Sequence, residues 1–182
     1  MALKATIFKI ELNIADMDRG YYESHALTLA RHPSETDERL MVRVLAFALN
    51  ADARLEFGGG VSTDDEPDLW RKSLTGEIEQ WIDLGQPDPR RVRKACGRAD
   101  AVCLYCYGGN KAATWWAQQQ SLLAQSRNLS VLNLPLSQTV ALAALAERNI
   151  SLQCNVQDGE VWVLRGAASV HVTPERWLTA TV

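Results

Sequence analysis

Polar and apolar positions along the chain change period several times, and each change marks an element. Residues 4–15 and 21–31 are two long runs of strand character. They flank Asp16-Met17-Asp18-Arg19-Gly20, whose aspartates and glycine tolerate the backbone of a turn. An N-terminal β-hairpin is expected. Beyond His32-Pro33 the period lengthens to that of a helix. Ser34 offers a cap with Asp37 three residues on, and apolar positions share one face as far as Asn50.

A short strand at 54–57 leads through Gly58-Gly59-Gly60 and the acidic Asp64-Asp65-Glu66 to a second hairpin. Its arms are 68–72 and 77–84, joined by Ser73-Leu74-Thr75-Gly76. A basic helix over about 90–98 follows, then a strand at 101–107, a helix near 110–127, a strand at 129–134 and a helix near 137–148. Two closing strands, 151–156 and 160–164, flank Gln157-Asp158-Gly159. The pattern predicts a single mixed α/β domain over 1–182. Its core, about 35–107, reads helix, three strands, helix, strand, with β-hairpins added at both ends.

Composition narrows the function. The 182 residues are 47% hydrophobic and 23% charged, with a formal net charge of −3, ordinary values for a globular protein. That balance argues against a chain built chiefly to coat phosphate backbones, while leaving room for a local basic patch. No apolar run reaches the roughly 18–20 residues of a membrane span. Residues 1–9 carry no signal-peptide core, so a cytoplasmic location is expected, and the expected state is a monomer. Cys103 and Cys106 form a C-x-x-C inside a strand. Residues three apart there point to opposite faces, which makes them core residues and not a metal clip. His25, His32 and His171 have no ligand spacing, and no Gly-Lys-Ser/Thr follows the glycine triplet as a phosphate loop would require.

The carboxylates carry the chemistry. Glu77, Glu79, Trp81 and Asp83 share one face of the 77–84 strand, and Asp68, Trp70 and Lys72 share one face of its partner. With Ser73–Gly76 as a four-residue turn, Lys72 opposes Glu77, Trp70 opposes Glu79, and Asp68 opposes Trp81. Asp68 and Glu79 then lie diagonally, about 7–8 Å apart at Cα, a separation at which two carboxylates call for a cation between them. Mg²⁺ held by carboxylates and water fits that arrangement. Glu38 falls on the inward edge of its amphipathic helix, where a charge needs a partner, and is a third candidate. The competing reading is structural: a hairpin surface laced by Lys72–Glu77 and Arg71, with Glu38 paired to Arg43 or Arg54.

The strings Glu66-Pro67-Asp68-Leu69-Trp70, Gly76-Glu77-Ile78-Glu79-Gln80-Trp81-Ile82 and Arg93-Lys94-Ala95-Cys96-Gly97-Arg98-Ala99, with the length and both hairpins, resemble the bacterial YaeQ family over nearly the whole chain. That family is similar in fold to the PD-(D/E)xK nuclease superfamily, the restriction-endonuclease-like core. The resemblance implies Pro67-Asp68 as the "PD", Glu79-Gln80-Trp81 as a degraded "(D/E)xK", and Glu38 as the first-helix metal ligand. Trp81 stands where the pattern has lysine, so Lys72 or Lys94 would have to supply that role.

Two functions follow. In the first, Mg²⁺ held by Asp68 and Glu79, with Glu38, activates a water for phosphodiester hydrolysis of DNA or RNA, and Arg91, Lys94 and Arg98 on the basic helix contact phosphates. In the second, the core has lost catalysis and serves as a module that binds nucleic acid or a protein partner, in the setting of transcription. Clustered carboxylates favour the first reading, and Trp81 favours the second.

Overall fold

The computed structural model describes residues 4–59 and 63–181. Met1–Leu3 and Gly60, which enter the readings above, lie outside them. Contacts gather into two compact units, one formed by 1–49 with 137–173 and the other by 50–136 with 174–182.

In the first unit, strands β1 (Thr6–Asp16) and β2 (Tyr21–Arg31) form the expected hairpin, paired from Thr6↔Arg31 to Asp16↔Tyr21. β1 buries Phe8, Ile10, Leu12 and Ile14 on one face and leaves Lys9 and Glu11 exposed on the other. Asp16 is only 1% exposed, and its carboxylate accepts the backbone N–H and the Nε of Arg19, which fixes the turn. Helix α1 (Asp37–Asn50) begins one cap later than expected. Thr36 Oγ1, not Ser34, accepts the N–H of Arg39, while Ser34 is engaged with the ring of His32. Within the unit, α1 meets β2 through Phe47 set edge-on to His25 and through Arg43 donating to Ala30 O.

The unit closes from the far end of the chain. β8 (Asn149–Gln157) lies parallel to β1, and β9 (Glu160–Arg165) and β10 (Ala168–Val172) extend the sheet to the order β10-β9-β8-β1-β2. The expected closing hairpin is therefore a three-stranded meander. Alternation in Ala168–Val172 is confined to two buried valines, too brief a pattern to stand out in the sequence. Helix α4 (Leu136–Ala143) stops well short of 148.

The second unit contains a six-stranded sheet in the order β11-β7-β6-β5-β4-β3. Its strands are β3 (Leu55–Phe57), β4 (Leu69–Lys72), β5 (Ile78–Leu84), β6 (Ala99–Cys106), β7 (Leu129–Asn133) and β11 (Glu175–Leu178). β3, β4 and β5 are antiparallel neighbours, while β5, β6 and β7 run parallel through crossovers by α2 (Pro89–Arg98) and α3 (Asn110–Leu123). Both crossovers place their helices on one face, as the preferred hand requires when strands are added in one direction. That face buries Trp81, Val102, Leu104, Cys106, Leu129 and Val131 against Val92 and Ala95 of α2 and Ala112 and Leu123 of α3. Cys103 instead pairs with Ile82 on the alternate positions, so the two thiols of the C-x-x-C diverge. Burial pushes the thiols of Cys103 and Cys106 up to about 12.

Candidate functional site

The second hairpin brings the acidic residues together in a register two residues from the expected one. Trp70 pairs with Trp81, not with Glu79, and Leu69 pairs with Ile82. Asp68 therefore comes beside Asp83. Its backbone N–H donates to Asp83 Oδ1 at 3.2 Å, and its Oδ2 accepts the N–H of Leu84 at 3.0 Å. Both aspartates are buried, 6% and 2% exposed. Glu79, four residues from Asp83, is displaced by about 13 Å along the strand at about 3.3 Å per residue.

A bulge accounts for the shift. Arg71 pairs with Gln80 but Lys72 pairs with Ile78, so Glu79 is an extra residue without a cross-strand partner. The bulge delivers its carboxylate to two arginines. Arg54 Nη1 and Nη2 bond it end-on at 3.2 and 3.0 Å, and Arg71 Nε adds a bond at 2.8 Å. Hydrogen bonding from Arg54 and then Arg71 holds the Glu79 carboxyl below the usual carboxylate range. The expected convergence of Asp68 and Glu79 on one ion is thus corrected. The turn residues, which the sequence displayed well, do not report a bulge inside the strand.

Asp83 is the acid that sequence reasoning missed. Its Oδ1 accepts Asp68 N–H and Arg91 Nη2, and its Oδ2 accepts Trp81 Nε1 at 3.0 Å and Arg91 Nε at 2.9 Å. Arg91 goes further, donating to the carbonyls of Glu66 at 2.8 Å and Thr63 at 3.2 Å. The indole of Trp81 is 1% exposed, lies within 6 Å of the Arg91 and Arg98 guanidiniums, and meets Trp70 edge-on. The signal was available in the sequence: an aspartate between Ile82 and Leu84 in a strand buried on both faces needs a cation nearby, and Arg91 opens the next helix.

The remaining expected residues sit as follows. Lys72 lies over the Trp70 ring at 3.6 Å, a cation–π contact at the hairpin surface. Lys94 pairs with Asp65 at 3.2 Å, and Arg98 donates to the Asp65 carbonyl. The Arg91–Lys94–Arg98 stripe therefore faces the acidic 63–66 loop and Trp81, and its assignment to phosphates is corrected for Arg91, whose donors are occupied inside the protein. Glu38 belongs to the first unit, where its Oε2 accepts Thr139 Oγ1 at 2.9 Å. Arg43, offered above as its partner, bonds Glu35 instead.

A divalent ion does not fit this donor set. Four donors already meet the two oxygens of Asp83, three meet those of Glu79, and a guanidinium lies where the positive charge would go. Among the described residues, no group of three or more His, Cys, Asp or Glu side chains is arranged to hold a metal.

The chain is a mixed α/β protein with a five-stranded and a six-stranded sheet, and its second hairpin carries acids neutralised by arginine. The chain belongs to the YaeQ family, whose profile matches residues 1–174. It is 46% identical over 177 residues to the YaeQ protein of Salmonella typhi and 45% identical to that of Escherichia coli K12, covering 97% of this chain and 98% of each relative. Among solved structures, the YaeQ protein of Xanthomonas axonopodis pv. citri superposes with a TM-score of 0.93 at 54% identity, over 96% of this chain and 99% of that one. The YaeQ protein of Pseudomonas syringae gives 0.92 at 35% identity, over 98% of both chains.

Proposed function

We propose that the protein is a nuclease-like domain that binds nucleic acid without cutting it. The observation that carries this reading is the state of the two acids of this strand: Asp83 is held by Arg91 and Glu79 by Arg54 and Arg71, about 13 Å apart, so arginines stand where metal-assisted hydrolysis would need converging carboxylates free for Mg²⁺. Trp81, buried and donating to Asp83, fills the position of the lysine that would orient the water. Neither feature serves metal-assisted hydrolysis, and both serve a stable, charge-compensated core.

Binding is assigned to the outer side of α2. The helix has five basic residues and no acidic one. Arg91 turns inward, whereas Arg90, Arg93, Lys94 and Arg98 are exposed. A cationic ridge of that size on an otherwise acidic chain suits contacts to phosphate without base readout.

Fluorescence anisotropy of labelled single-stranded RNA and DNA tests the reading. Salt-sensitive binding is expected in EDTA, weakened at least about tenfold by Arg93→Glu with Lys94→Glu, with the oligonucleotide intact after incubation in Mg²⁺ or Mn²⁺. Metal-dependent cleavage lost in Asp68→Ala would restore the hydrolase reading. Absence of binding at low salt would leave a protein partner as the function.

A further inference from the structure

We infer that the outward face of β1, β2 and β8 in the first unit's sheet is a self-association surface that pairs this chain with a second copy. At the outward positions of β1, β2 and β8, Lys9 and Glu11 are the only charged side chains. Solvated sheet faces ordinarily mix charges freely, and loss of charge is the compositional mark of an interface. The neighbours of these two are small or neutral. Thr28 and Asn149 flank Lys9, and Ala26 and Ser151 flank Glu11. All six are exposed, and they line an open hollow of about 490 Å³.

Lys9 and Glu11 form no ion pair with any described residue, and their placement is self-complementary. A twofold axis lying in the plane of the face, crossing β1 at Ile10, sets Lys9 of one copy over Glu11 of the other, and the reverse. The same axis brings Ala26 over Thr28 and Ser151 over Asn149, all small enough for two sheets to approach to about 10 Å. A lysine and a glutamate reaching toward each other span that gap. Three strands about 4.8 Å apart form a narrow face, which places the dimer at the weak end of stable interfaces.

The charges also define the experiment. Sedimentation from about 1 µM to about 500 µM should show a reversible monomer–dimer equilibrium. Lys9→Glu and Glu11→Lys each put like charges opposite one another twice, so each should weaken dimerisation at least about tenfold. The double swap Lys9→Glu with Glu11→Lys recreates both pairs and should restore it. Unchanged circular dichroism and melting temperature confirm that the single variants fold, because both side chains are exposed. A monomer throughout the range, a dimer indifferent to either single change, or a double swap no better than the singles would overturn the inference.

Discussion

Asp68 and Asp83 each hold the other's strand: the N–H of Asp68 reaches the Asp83 carboxylate, and the Asp68 carboxylate reaches the N–H beside Asp83, on Leu84. Two buried acids on adjacent strands would repel without compensation. Arg91 lies against Asp83 and supplies it, with its own side chain only 18% exposed. The pair and its arginine therefore form one unit in which each member depends on the others.

Removing the cation should cost more than removing the whole cluster. Arg91→Met leaves Asp83 buried and unpaired, with an expected loss of about 3–5 kcal/mol. Asp83→Asn with Arg91→Met should cost less than Arg91→Met alone. Urea denaturation of the four proteins, compared as a double-mutant cycle, measures the difference.

Trp81→Lys recreates the residue type of the nuclease pattern, yet it should not recreate activity. The site is 1% exposed, and the change removes the indole N–H from Asp83 while placing an ammonium beside Arg91 and Arg98. A loss of at least about 3 kcal/mol is expected. Trp81→Phe keeps the apolar contacts and should lose about 1.5–3 kcal/mol, the contribution of a hydrogen bond to a charged acceptor. Thermal and urea denaturation of both variants provide the check.

The Glu79 pairing makes a pH prediction. Arg54 and Arg71 lower its pKa in the folded state from the ordinary 4.5. The stabilisation is therefore complete above about pH 4.5 and is lost as pH falls through the depressed folded value. Glu79→Gln should flatten the decline of melting temperature in that acid window, so that its deficit against wild type is constant and largest above about pH 4.5 and shrinks as the pH falls. A parallel decline in wild type and variant would place the acid sensitivity elsewhere.

Gly58 tests the neck of the acidic loop. A Cβ added there would meet the Pro67 carbonyl oxygen at 2.3 Å, and the Gly58 N–H already bonds Asp68 O at 3.0 Å. Gly58→Ala must shift the backbone leading into Asp68, with an expected cost of about 1–3 kcal/mol. Gly97→Ala, where nothing lies within 4 Å, should be neutral or stabilising.

Most of the architecture was legible in the sequence because its signals are local. The turn at Asp16–Gly20, the Pro89 entry to α2 and the long apolar face of α1 fix elements without reference to distant residues. Pairing is different. The bulge at Glu79 has no glycine or proline to announce it, and one extra residue moves an acid from its expected partner to Arg71 and Arg54. The cluster around Asp83 was legible only in part: a buried aspartate calls for a cation, but Asp68, Asp83 and Arg91 come from three segments joined only once the register is set. β11 escaped notice because Glu175–Leu178 is short and half-exposed, and gains strand character from β7 beside it.

The parallel pairing of β1 with β8 joins segments some 140 residues apart, as Asp18 does when it caps the Asp158–Gly159 turn. During synthesis the first hairpin must wait, one flank unzipped, until residues 149–156 have left the ribosome. For that interval β1 offers an unpaired backbone edge, beside the apolar face of Ile10, Leu12 and Ile14, to any passing strand, and loop closure over such a span is slow. Overexpression yield should accordingly depend on translation speed and chaperone supply more than on the equilibrium stability of the finished molecule.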